Sequence, residues 1–121
     1  MEFKNLIIWH EAVELKEIVY SLTHKFPSFE TFGLGSQLRR ASVSIPSNIA
    51  EGSARGHTKE HIQFLYQSRG SLAEVITQVE LAKKFGYAEA SETLKIDALC
   101  VELSKMINST VTSLKSKLVR S

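Results

Sequence analysis

A proline set inside a helical pattern constrains this chain more than any other feature. Between residues 38 and 56, Leu38, Ala41, Ile45 and Ile49 recur at steps of three and four, which gives an apolar stripe along one helix face. Arg40, Ser44, Asn48, Glu51 and Arg55 recur at similar steps and form a polar stripe on its flank. Pro46 lies in the middle of both. An interior proline removes one backbone donor and crowds the carbonyl four residues back, at about 3 kcal/mol relative to alanine. A helix that keeps it must recover the loss through packing or side-chain hydrogen bonds, so the fold is expected to be tightest here.

Helical periodicity extends on both sides. Ile8, Ala12, Leu15, Ile18, Val19, Leu22 and Phe26 predict a first helix over about residues 5–25, broken by Pro27 and Ser28. The second spans about 34–55, its start blurred by Gly33 and Gly35. Thr58 reads as the N-cap of a third helix over about 58–85, with Glu60 in its first turn and Lys83 and Lys84 before the terminating Gly86. Ile62, Leu65, Leu72, Val75, Ile76, Val79 and Ala82 are its expected inner face, and Gly70 is expected to mark close approach of another helix. Ile96, Leu99, Cys100, Leu103, Ile107, Val111, Leu114 and Leu118 predict a fourth helix over about 89–118. With two prolines, six glycines and connections of a few residues, the expected fold is all-α. It is one domain over 1–121, an antiparallel up-down-up-down four-helix bundle.

The third helix carries its own polar stripe, Gln63, Gln67, Ser71, Glu74 and Gln78. Set against the stripe of the second helix, it suggests a seam of Arg40, Ser44, Asn48, Glu51, Ser71 and Glu74, within the chain or between subunits. Solvated faces or a ligand site are the alternatives.

Charge is segregated behind a net +2. Residues 1–30 hold three lysines against five glutamates, residues 31–59 are net +3, and residues 105–121 carry Lys105, Lys115, Lys117 and Arg120 with no acid. Such segregation suits a nucleic-acid surface or complementary subunit faces. The single Cys100, on an apolar face, reads as a small buried hydrophobe. With no run near 18 apolar residues and no secretory leader pattern, no membrane contact is expected and a cytoplasmic location is.

Catalytic chemistry finds little support. No glutamate is followed by histidine at the third position, as a di-iron bundle requires. His57 and His61 are four apart but lack visible further ligands. Glu51 and Glu74 could form an acid–base pair, but hydrogen bonding to Arg40, Arg55 or donors near Pro46 is the simpler reading. Gly33-Leu34-Gly35 is no phosphate loop, because no strand precedes it and no Gly-Lys-Ser/Thr follows. The protein is expected to be no enzyme, with no catalytic, cofactor or metal site.

The words Gln37 to Gly52 (QLRRASVSIPSNIAEG) and Arg69 to Glu74 (RGSLAE) carry a family likeness. Phe3, Leu6 and Trp9, Tyr20 with Phe26-Pro27, and Phe85-Gly86-Tyr87 add to it. The chain resembles the four-helix bundle proteins encoded in intervening sequences of 23S rRNA genes, sometimes labelled S23 ribosomal proteins. A related protein is the accessory protein of diversity-generating retroelements, a basic pentamer that binds nucleic acid and a reverse transcriptase. The resemblance implies a homopentamer without catalysis. Ser68 departs from it, standing where the family often has alanine. The surplus apolar edge of Phe3, Trp9, Phe29, Phe32, Phe85 and Tyr87 also points to self-assembly.

Two functions follow as expectations. One is low-specificity binding of RNA or DNA, with Arg39, Arg55, Lys59, Lys83, Lys84, Lys115, Lys117 and Arg120 on phosphates. No aromatic platform is evident, so charge and shape would govern it. The other is an oligomeric adaptor for a protein partner with no nucleic-acid contact. Nucleic-acid binding is favoured.

Overall fold

The computed structural model describes residues 3–120; Glu2, one of the acids counted above, lies outside them. Four helices make up the fold: α1 (Ile7–Thr23), α2 (Leu34–Ala54), α3 (Thr58–Lys84) and α4 (Ala90–Arg120). Short 3-10 turns, Phe3–Asn5 and Ser28–Glu30, precede α1 and α2, and no strand occurs among the described residues. Each helix packs against its chain neighbours, and α1 also meets α4. The core runs down the centre, where Leu15, Leu38, Ile45, Ile49, Leu65, Leu72, Ile96, Leu103 and Ile107 are almost wholly buried. These are the stripes read at steps of three and four. Ile18 and Leu118 are only partly buried, and Ile76 is the one stripe residue left exposed. It is 48% exposed, because it stands one residue, about 100° of helical turn, past the buried Val75.

The ends of the helices explain where they stop. At the start of α2, Glu30 Oε1 accepts from the Leu34 amide at 3.0 Å, and its Oε2 accepts from the Tyr87 hydroxyl at 2.7 Å. The amide bond, then the phenol, hold this carboxyl below its ordinary pKa, and the Tyr87 hydroxyl is raised in turn. One carboxylate thus caps α2 and ties it to the turn after α3. At the end of α3, Gly86 adopts φ 79°, and the amides of Gly86 and Tyr87 bond back to the carbonyls of Lys83 and Ala82. Only glycine enters that left-handed conformation without penalty. Thr58 does not serve as the N-cap of α3. It is the first helical residue, and the extended His57 holds the cap position without a side-chain hydrogen bond.

Gly70 does not mark a helix contact, since a Cβ there would meet nothing within 4 Å. The close approach belongs to Gly52 instead. A Cβ at Gly52 would lie 2.8 Å from Phe64 Cβ and 3.3 Å from the His61 carbonyl oxygen. Gly52 therefore sets how near α2 comes to α3.

Candidate nucleic-acid interface

Half of the expected polar seam comes together. Ser71 Oγ donates to Ser44 Oγ at 2.9 Å, and Asn48 Nδ2 donates to both the carbonyl and the hydroxyl of Ser44 at 2.9 Å. Beside them the buried Ser68 hydroxyl donates to the carbonyl of Ile45 at 3.0 Å, next to Pro46. Ser47 Oγ donates to the Val43 carbonyl at 2.8 Å, on the turn that the proline disturbs. The missing Pro46 donor would have met the Ser42 carbonyl, and these bonds hold the neighbouring carbonyls of Val43, Ser44 and Ile45. Arg40, Glu51 and Glu74 do not join the seam. All three are exposed, because their long side chains reach past the contact into water. Glu51 instead accepts from Arg55 at 3.0 Å along its own helix.

Apart from Arg39, the expected phosphate-binding cations divide into two groups. At the end of the molecule where α3 begins and α4 finishes stand Arg55, Lys59, Lys115, Lys117 and Arg120. Burial lowers the His61 pKa and the charge of Lys117 lowers it further, which places these two segments side by side. Arg55 is largely neutralised there: it bridges Glu51 and Glu60 at 3.0 and 3.2 Å, over the Phe64 ring. Lys59, Lys115, Lys117 and Arg120 are exposed. Lys115 lies 5.6 Å from the Tyr66 ring centre, and Arg69 at 4.6 Å covers the same ring while donating to Asn108. Arg69 was not among the residues expected from sequence. Lys83 and Lys84 sit at the other end of α3, about 40 Å away, and Lys83 is drawn to Glu80 at 3.4 Å.

Arg39 belongs to neither group. Its Nε donates to Thr23 Oγ1 at 2.8 Å, and its guanidinium lies 5.4 Å from the Tyr20 ring centre. Lys16 approaches the same ring at 5.5 Å. Tyr20 and Arg39, with Phe32, Arg40 and Val43, border a surface cleft of about 710 Å³ over the first half of α2. Sequence reasoning found no aromatic platform because Tyr20 and Phe32 come from different elements. The Lys16–Tyr20 spacing of four was the one legible hint.

The remaining chemistry is quiet. Burial pushes the Cys100 thiol up to about 12, so it stays protonated. Among the described residues no three His, Cys, Asp or Glu side chains gather as metal ligands. None of the helices is long and apolar enough to cross a membrane.

The fold and this surface define an all-α four-helix protein that carries clustered cationic groups and aromatic rings on its outside. The chain matches the 23S rRNA-intervening sequence protein family over residues 4–109, and it belongs to that family. No curated protein matches it.

Proposed function

We propose that this protein is a non-catalytic, oligomeric helical bundle of the cytoplasm that binds nucleic acid, RNA foremost, by charge and shape rather than sequence. One observation carries the reading: Lys59, Lys115, Lys117 and Arg120 stand exposed at the end of the molecule where α4 finishes beside the start of α3. Cations so placed neutralise phosphates and release counterions, which drives binding that weakens as salt rises. The family description, which names 23S rRNA, agrees with RNA as the first ligand to test.

The helix adjacencies and the short α2–α3 turn fit an up-down-up-down course. The family likeness adds a homopentamer. Phe29, Phe85, Leu94 and Val101, each more than half exposed, supply apolar surface for such assembly. Five copies would repeat the basic end and raise affinity through multivalency.

The test is fluorescence anisotropy with labelled RNA and duplex DNA across a salt series. The triple variant Lys115→Glu, Lys117→Glu, Arg120→Glu is expected to keep its helical content and flatten the salt slope. No binding by the intact protein at about 50 mM salt overturns the reading, since a phosphate-driven interaction is strongest there. Light scattering tests assembly, with a mass near five times 13.5 kDa expected.

A second reading, an adaptor for a protein partner, draws on the apolar groove of about 400 Å³ between α3 and α4, where Ile76 and Val101 stand exposed. Recovery of bound material from native cells separates the two. Nuclease would remove a nucleic acid and leave a protein partner in place.

A further inference from the structure

We propose that the cleft over the first half of α2 holds two successive unpaired nucleotides of a single strand. One base would stack on Phe32, the phosphate between would sit on Arg39 and Arg40, and the edge of the next base would point toward Gln78. This rests on the nucleic-acid reading above and names a second site and the ligand's form.

Phe32 is the starting point. Its ring is 96% exposed, in the bend that leads into α2, and it borders the 710 Å³ cleft shared with Tyr20, Arg39 and Arg40. A pocket of that size is in the range that holds a nucleotide. Among the described residues its lining includes two guanidinium groups and no carboxylate, so the cleft suits an anion beside an aromatic face. Arg39 is already oriented. Thr23 Oγ1 accepts from its Nε and donates to the Tyr20 carbonyl, which leaves both terminal amino groups for a phosphate. Arg40 is exposed and makes no ion pair among the described residues, so its charge is available.

The cleft continues beyond Arg40. Arg40 and Ser44 also border a smaller polar groove of about 350 Å³, where Ser71, Glu74 and Gln78 line the far side. Gln78 Oε1 is buried there with no hydrogen-bond partner among the described residues. An orphaned acceptor calls for a donor. The Glu74 carboxylate adds a second acceptor and would repel phosphate, which assigns the backbone to the arginines and a base edge, with its N–H donors, to this end. Duplex bases face inward and cannot offer a free ring face to Phe32, whereas a single strand can.

The experiment compares a labelled single-stranded RNA with a duplex of equal length, by anisotropy, for the intact protein, Phe32→Ala and Arg40→Gln, with light scattering on each. Phe32→Ala is expected to weaken single-strand binding about fivefold or more while duplex binding is unchanged. Arg40→Gln is expected to lower the single-strand salt slope by about 0.7 at unchanged mass. If strand and duplex bind alike and both variants match the parent, the cleft proposal falls while the nucleic-acid reading stands. If the intact protein binds neither, both fall. If Phe32→Ala dissociates the oligomer and Arg40→Gln leaves single-strand binding intact, the ring is covered by a second copy and the proposal is overturned.

Discussion

Where α2 meets α3, the contact is narrow and fastened by small polar groups: Gly52 admits Phe64, and Ser44, Asn48, Ser71 and Ser68 bond across or along the seam. Where α1 meets α4, carboxylates face each other. Glu11 is held above its ordinary pKa, first by burial and then by a shared hydrogen bond and repulsion with Glu102. A lysine relieves its neighbour, Lys95 to Glu14 at 3.5 Å, but that pair is solvated. The first contact depends on shape and the second tolerates strain. A bundle can carry one poorly matched seam when the opposite one is closely fitted.

Breaking the tight seam should cost most. Gly52→Ala inserts a methyl group 2.8 Å from Phe64 Cβ and is expected to lose about 2 kcal/mol, since overpacking outweighs the gain in helix propensity. Denaturant unfolding measures it, and a variant as stable as the parent would show that the helices part freely. Asn48→Ala comes next, at about 1 kcal/mol, because it removes the two bonds that Asn48 donates to the carbonyl and hydroxyl of Ser44. Its companion Glu51→Ala should change stability by only a few tenths of a kcal/mol, as its partner Arg55 is half exposed. Equal losses from the two would return Glu51 to the seam.

Gly70→Ala should act in the opposite sense. Nothing surrounds that position, so the variant is expected to gain about 0.5–1 kcal/mol, read as a higher melting temperature. The smallest effect concerns the loose seam and depends on pH. The raised pKa of Glu11 means its contribution is fully present below the unfolded value of about 4.5 and is lost as pH rises through the folded value. Glu11→Gln should therefore melt slightly higher than the parent at pH 7, and the two curves should converge in acid. Glu30 has the reverse sign: its lowered pKa stabilises above 4.5 and the benefit goes as pH falls. A parent–variant gap that widened toward acid would contradict the Glu11 assignment.

Much of this architecture could be read from spacing alone. The stripe residues Ile45, Ile49, Leu72 and Val75 are buried as their periodicity requires, since one helix face must leave water. The glycines were misjudged because propensity registers the cost of a missing side chain and not the neighbour that demands it. Gly70 stands mid-helix, where its cost alone draws notice; Gly52 stands near a helix end, where nothing in the spacing sets it apart. Arg40 and Glu74 were placed in the seam by their register, but register fixes a face and leaves the reach of a long side chain open. The cleft of Tyr20 and Phe32 arises only when α1 packs on α2 and brings Tyr20 beside the turn that leads into α2, a relation no local window contains.

Cys100 offers a clock. Its thiol is 3% exposed and its pKa is about 12, so at pH 8 roughly one molecule in ten thousand carries the reactive thiolate. Modification in the closed bundle should be very slow. Any measurable labelling by an added thiol reagent would count the moments when α4 lifts from its neighbours, giving the free energy of that opening in the unaltered sequence.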